Sequence, residues 1–298
     1  MNVQKSFDAG DGRGTLYLVA TPIGNLEDIT YRAVRVLSEA DWIAAEDTRQ
    51  TRKLLAHCNI EGARLVSYHE HNKRASGPEL IRRLQAGESV ALVSDAGVPA
   101  ISDPGRELVR DAAEVGIPVV PVPGANAALS ALIVSGLPTE RFLFVGFLPR
   151  EKKRLAEELE ALRRTEATIV CYESPHRIEK TIGAMLDAWG NRPVALAREL
   201  TKRHEEVFRG SLSEAARHLK VHPPLGEYVI VAGGAGTGGN EPEESGEADW
   251  RSWSVAEHVA RWEAELGDRK EAMKRAAAER GVSKRDIYRA LLEDKEED

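Results

Sequence analysis

The side chains able to do chemistry gather in a few short stretches. The densest is Ser94–Gly105, SDAGVPAISDPG, with two Asp, two Gly and two Pro in twelve residues. Glycine admits backbone angles that other residues resist, and proline fixes φ and removes a donor, so this stretch continues neither a helix nor a strand. It follows the apolar run Val90–Val93, which reads as a buried strand. The expectation is a stiff, irregular loop carrying carboxylates at the carboxyl end of a parallel strand, the edge where open α/β sheets bind ligands. In Pro121–Leu132, PVPGANAALSAL, a strand ends at Pro123-Gly124 and small residues open a helix. Small side chains let a ligand approach the backbone, and free N–H groups at a helix start can hold a carboxylate; close helix–sheet packing would use the same residues. Tyr172–Ile178 (YESPHRI) and Arg198–Glu206 (RELTKRHEE) place Glu173, His176, Arg177 and Lys202 beyond two further strands.

Other chemistries start poorly. The turn ATPIGN lacks the G-x-G-x-x-G spacing of dinucleotide binding, with Pro22 where a flexible glycine would stand, and the chain has no P-loop. Ser94 has no G-x-S-x-G elbow, which argues against a hydrolase. His69-Glu70-His71 alternates ligand types, yet a solvated or RNA-facing loop fits it better than a metal. Cys58 and Cys171 show no paired-ligand spacing, so neither a disulfide framework nor a structural zinc is expected, and the reading is a reduced, cytoplasmic protein.

The elements that must position these stretches alternate. Strands are expected at Leu16–Ala20, Trp42–Ala45, Leu65–Tyr68, Val90–Val93 and from Val119, with helices between them, one at about Pro78–Gln85 and another at Gly105–Val115. This implies a mostly parallel sheet. After Phe142–Phe147 a second α/β unit follows: a helix around Lys152–Arg163, strands at Thr168–Tyr172, Val194–Ala197 and Tyr228–Ala232, and a polar segment before a helix at Ser213–Leu219. The expected division is a flexible extension over 1–14, α/β domains over 15–147 and 148–233, a disordered acidic linker over 234–249, and a helical, helix-turn-helix-like module over 250–298.

The net charge of −7 is unevenly spread. Residues 241–249 hold five acids and no base, and the last six residues hold five acids and one lysine; the remainder carries a small positive excess. Basic clusters such as Arg49, Arg52, Lys53, Lys73, Arg74, Arg150 and Lys152–Arg154 can therefore meet an anion although the whole is acidic. No apolar run approaches the roughly 20 residues that span a bilayer, and the N-terminus has no apolar core typical of a secretory signal.

Taken in order, LYLVATPIGNLEDITYRA, IAAEDTR, SDAGVPAISDPG, PVPGANAALSALIVSGLP, GFLPR, YESPHRI, RELTK and GEYVIV resemble the ribosomal RNA small-subunit methyltransferase I family, within the wider tetrapyrrole-methylase fold. The resemblance spans Leu16 to about Ala232 and implies two α/β domains with the active-site cleft between them. It implies S-adenosylmethionine as methyl donor and 2′-O-methylation of a cytidine ribose in the decoding region of 16S rRNA, with the small ribosomal subunit as partner and a homodimer as the assembly. By position, donor contacts fall to Ile23, Asp95, Val98, Asn126, Ala127, Tyr172 and Glu227. Val98 stands where the family often has Thr, and Ala125-Asn126 where it often has Pro-Cys; donor binding through backbone groups would tolerate both. A ribose hydroxyl is a weak acid, and Lys202 or Glu173 is the expected proton acceptor. The competing readings are a small-molecule tetrapyrrole methyltransferase and a non-enzymatic nucleic-acid-binding protein.

Overall fold

The computed structural model describes Gln4, residues 12–237 and residues 253–293. Of the linker expected over 234–249, residues 238–249 lie outside them, as does most of the N-terminal extension; 234–237 are described, and Ala235 donates its amide to the Thr165 carbonyl at 2.7 Å, so the ordered chain runs past the expected start of the linker. The chain divides into two compact units, residues 1–239 and 240–298.

The first unit begins with a five-stranded sheet: β1 (Leu16–Val19), β2 (Trp42–Ala45), β3 (Leu65–Ser67), β4 (Val90–Val93) and β5 (Val119–Val122), in the order β3-β2-β4-β1-β5. All its pairings are parallel. Its central strand β4 is buried on both faces and wholly apolar, as a parallel sheet covered by helices requires. Helices α1 (Tyr31–Glu39) and α2 (Thr48–His57) cover one face through Ala33, Val36, Leu37 and Leu55. The other face is covered by α3 (Lys73–Gln85) and α4 (Arg106–Glu114) through Leu80, Leu84, Leu108 and Ala112. The chain first winds from β1 towards β3 and then back towards β5. Right-handed crossovers in opposite directions put their helices on opposite faces. The gap where the order reverses, at the carboxyl edge, is the ligand position of such sheets. Thr30 and Asp47 cap α1 and α2 by accepting the amides of Ala33 and Arg49. Helix α3 starts five residues before the expected Pro78: Gly77-Pro78 lies inside the helix, with Gly77 buried opposite Tyr68.

The second sheet comprises β6 (Phe142–Phe147), β7 (Thr168–Glu173), β8 (Pro193–Arg198), β9 (Glu206–Ser211) and β10 (Tyr228–Ala232), in the order β6-β7-β10-β8-β9. Unlike the first, this sheet is mixed. Only β6–β7 is parallel; β10 runs antiparallel to both β7 and β8, and β9 antiparallel to β8. Strand β9 falls in the segment read as polar. It is an edge strand with glutamate and arginine on it, so its apolar content is only Val207 and Phe208. Helices α6 (Lys152–Leu162), α7 (Ile178–Trp189) and α8 (Leu212–Val221) cover one face.

The opposite face is covered by α5 (Ala127–Ser135), which packs through Ala128, Ala131 and Leu132 on Val170, Ala195, Ala197, Val229 and Val231. The boundary expected at 147/148 therefore moves. Both α5 and β6 precede it in sequence, yet they pack with the second sheet, because α5 leaves β5 and crosses over at once. The change of sheet falls near Pro123-Gly124.

The second unit is a three-helix module of α9 (Val255–Leu266), α10 (Arg269–Arg280) and α11 (Lys284–Glu293) around Val259, Met273, Ala276 and Ile287. Ser254 and Glu257 form a capping box, and Gly267 and Gly281 end α9 and α10 in the left-handed conformation. Among the described residues no helix is long and apolar enough to cross a membrane.

Candidate active site

Three loops meet above the carboxyl edge of the first sheet. Thr21 and Gly97 exchange backbone hydrogen bonds of 2.8 and 3.0 Å, which zips the turn after β1 to the loop after β4. The Asn25 amide donates to Thr201 Oγ1 at 2.9 Å, tying the first turn to the loop after β8. Gly24 makes that contact possible: a Cβ there would lie 2.5 Å from Lys202 Cγ and 2.8 Å from Thr201 Oγ1. Non-glycine residues with positive φ are rare. Among the described residues there are Asn59, Ala100, Ser102, Glu199 and Thr201, and the last four stand in these loops. Backbone strain concentrated in this way marks functional sites.

The loops and the α5-covered face of the second sheet enclose a cavity of about 550 Å³. All nine residues singled out in the sequence line it: Ile23, Asp95, Val98, Asn126, Ala127, Tyr172, Glu173, Lys202 and Glu227. His176 is exposed and does not line it. Arg177 donates to the Leu148 and Pro149 carbonyls at 3.2 and 2.7 Å and so fixes the segment between β6 and α6. Asn126 accepts the Leu129 amide and caps α5. Tyr172 sits edge-on to Phe144 and Phe147 with centroids 5.0 and 5.5 Å away, a wall against which a flat group can pack.

The two expected proton acceptors are both engaged. Glu173 is buried; its carboxylate accepts from the Ser174 amide at 2.8 Å and from Thr181 Oγ1 at 2.7 Å, with Arg177 Nη2 at 3.6 Å. Lys202 Nζ lies between Glu199 Oε1 at 2.9 Å and Glu227 Oε2 at 3.0 Å. Burial favours its neutral form, but the hydrogen bonds to the two carboxylates outweigh burial and raise its pKa above the ordinary lysine value. It is therefore an ammonium at neutral pH.

Sequence reasoning passed over Glu46 and Asp103, which line the same cavity beside Asp95. Burial, then the Glu46 charge, pushes Asp103 up to about 6, against the lowering effect of a hydrogen bond from Ser94. Burial and the Asp95 charge likewise raise Glu46. The signal was present: Glu46 directly follows β2, and Asp103 is the second Asp of the central loop. With Asp95 these form a group of carboxylates that suits a cationic ligand. Near His69 and His71, as elsewhere among the described residues, no group of three metal-ligating side chains forms.

Comparison with known proteins places this geometry. Residues 15–216 match the family model of tetrapyrrole (corrin/porphyrin) methylases. Ribosomal RNA small subunit methyltransferase I of Halalkalibacterium halodurans is 55% identical over 97% of this chain and 98% of its own length. The protein of that name from Bacillus subtilis is 49% identical over 96% and 97%. The chain belongs to the ribosomal RNA small subunit methyltransferase I family. Among solved structures, a cobalt precorrin-4 methyltransferase of cobalamin biosynthesis superposes with a TM-score of 0.57 at 19% identity, over 74% of this chain and 94% of that one. The uroporphyrin-III C-methyltransferase of Thermus thermophilus, complexed with S-adenyl homocysteine, superposes with a TM-score of 0.51 at 24% identity, over 73% and 97%. These two likenesses establish the fold. A methyltransferase of this family takes its methyl from S-adenosylmethionine, and the acidic cavity fits that donor, whose sulfonium is cationic.

Replacing Glu173 tests its bonding. Glu173→Gln should lower stability by about 1–3 kcal/mol, the range for disturbing a buried hydrogen-bonded group, in urea unfolding, while donor binding by calorimetry stays within about twofold. Unchanged stability with methyl transfer abolished would instead restore Glu173 as the proton acceptor.

Proposed function

We propose that this protein transfers the methyl group of S-adenosylmethionine to the 2′-hydroxyl of a cytidine ribose in the decoding region of 16S rRNA, acting in the cytoplasm on the small ribosomal subunit. The observation that carries the reading is the pairing of an acidic, loop-walled cavity at the switch point with relatives of 44–55% identity across nearly the whole chain, all named for rRNA methylation. A small-molecule tetrapyrrole substrate is supported only by likeness of fold.

In this reading the donor lies against Ile23, Val98, Asn126, Ala127 and Tyr172, with Asp95 and Glu227 accepting its polar hydrogens. Bound there, it supplies a methyl on a positively charged sulfur. The loops fix the angle at which a hydroxyl oxygen meets that methyl, and such orientation is worth on the order of 7–11 kcal/mol in favourable systems. Asp95, Asp103 and Glu46 favour the cation. Lys202 is charged and serves by holding Glu199 and Glu227 in place, so the hydroxyl proton goes to a carboxylate of the cavity. Asp103, at about 6, stands closest to the pH at which a general base works best.

Outside the cavity, Arg52, Arg74, Arg150 and Lys152 carry no described ion pair, and we assign them to the RNA backbone. Several basic residues of the helical module are engaged with its own acids, Lys274 with Glu271 and Arg275 with Glu279. The module adds RNA affinity through those left over, such as Lys270 and Arg285.

A second copy of the chain covers the outer side of α5. That helix is apolar around its whole circumference, and its Leu129 and Ile133 are exposed, Ile133 at 74%. Phe142 and Phe147, both exposed, share with Phe144 the α5 side of the sheet, as their register with Thr168, Tyr172 and Val170 requires. A patch of this kind on an edge strand and its neighbouring helix belongs in an interface.

Three measurements test these readings. Unmethylated small subunits incubated with labelled donor should acquire label on a cytidine ribose of the decoding region; label on a base, or none with donor binding intact, would overturn the substrate. Donor affinity should fall as pH drops through about 6, because Asp103 gains a proton there and loses its charge; Asp103→Asn should weaken binding at pH 8 by roughly tenfold, about one ion-pair increment, and flatten that pH profile. Ile133→Asp should convert a dimer to a monomer in sedimentation velocity, and a wild-type monomer would remove the interface.

A further inference from the structure

A second cavity, of about 340 Å³, opens on the other side of the Thr21–Leu26 turn. It is lined by Pro22, Leu26 and Leu54, by Gln50 and Lys53 of α2, by the buried Thr21 and by the exposed Asp95. Asp95 also lines the donor cavity, so one carboxylate borders both spaces. We propose that this second cavity receives the pyrimidine base of the nucleotide whose ribose is methylated. The inference rests on the ribose-methylation reading and adds the residues that select the base.

The position follows from the shared carboxylate. A 2′-hydroxyl aligned with the donor's methyl beside Asp95 puts its ribose next to the residue that borders both cavities. The base joined to that ribose must then leave the donor cavity, and the space beyond Asp95 is next to it. The chemistry is matched. Pro22, Leu26 and Leu54 give flat apolar surfaces for the faces of a ring. Lys53 Nζ donates to Gln50 Oε1 at 3.2 Å, which turns the Gln50 amide NH₂ into the free half of that side chain, a donor for ring nitrogen or carbonyl acceptors. Asp95 Oδ1 takes the Asp47 amide at 3.0 Å, and its other oxygen is left to accept from an exocyclic amine. A carboxylate acceptor and amide donors lining one cavity complement cytosine, with its amine beside acceptor atoms, and leave a carboxylate facing a carbonyl when uracil enters.

The rim is equally suggestive of a nucleic acid. Tyr31, in the first turn of α1 on the same edge and face of the sheet, is 98% exposed. Such an aromatic ring offers a platform for a neighbouring unstacked base. Arg52 stands on α2 beside Lys53, while Glu27 and Asp28 are exposed on the turn itself and set the side from which phosphates are excluded. Arg49 is occupied by Asp47 at 2.7 Å.

The test uses the full chain and fills the cavity from an exposed helix position. In Gln50→Trp, donor affinity by calorimetry should stay within about twofold of wild type, and kcat/KM on small subunits should fall by roughly tenfold or more, the size of one lost base contact. Gln50→Ala should fall less. Independently of turnover, cytidine 5′-monophosphate should show saturation-transfer NMR contacts with the wild type in the presence of S-adenosylhomocysteine, weaker contacts for uridine 5′-monophosphate, and none with Gln50→Trp. Equal binding of both nucleotides by Gln50→Trp and wild type would overturn the proposal, as would a parallel loss of donor affinity, which would make the space part of the donor site. If wild-type enzyme leaves subunits unlabelled but the nucleotide contacts behave as expected, the ribosomal reading fails and the base pocket stands.

Discussion

The close approach of Gly24 to Thr201 and Lys202 governs the rest of the first unit. The two sheets differ in topology, and the chain passes between them only once, through Gly124 and α5. Such a pair would be free to rock, were it not for the Asn25–Thr201 bond on the opposite side of the cavity. With the crossing helix on one side and this clasp on the other, the loops that carry Asp95, Asp103, Lys202 and Glu227 hold fixed positions. The strained residues Ala100, Ser102, Glu199 and Thr201 are tolerated because zippered neighbours over-determine the backbone around them.

Electrostatics then gives the cavity its preference. Burial and the neighbouring carboxylates raise the proton affinity of Glu46 and Asp103, as like charges in a partly desolvated space must. A sulfonium relieves that repulsion. After transfer the sulfur is neutral and the relief is gone, so the same three carboxylates that draw the donor in favour departure of the spent product. Lys202, bracketed by Glu199 and Glu227, offsets part of the negative charge they bring.

Much of this was legible in the sequence because its signals are local. The apolar run at Val90 followed by Asp, Gly and Pro announces a strand and a ligand loop. Asn126 after Pro-Gly announces the start of α5, and the nine residues assigned to the donor or the proton line one cavity, whereas His176 and Arg177 do not. What escaped depends on partners distant in the chain. The antiparallel course of β10 between β7 and β8 leaves no mark on its own residues, which are wholly apolar in either arrangement. Strand β9 was hidden because an edge strand needs few apolar side chains. Gly77-Pro78 looked like a helix boundary because the penalty for proline is local, whereas the packing of Leu80 and Leu84 on the sheet that anchors α3 is not. The engagement of Glu173 by Thr181 depended on α7 returning over β7. Lys202 had its charge set by two glutamates, one of them 25 residues away.

Helix α5 also has a history in time. Within the chain its cover includes β7, β8, β9 and β10, and β10 ends at Ala232, about a hundred residues after the helix leaves the ribosome. At synthesis rates of about 5–20 residues per second this is roughly 5–20 s. During that interval the first sheet can close on its own helices, while a segment apolar on every side has nothing to rest against. The arrangement that joins the two halves of the cavity thus makes the nascent chain dependent, for those seconds, on whatever keeps exposed apolar helices from meeting one another.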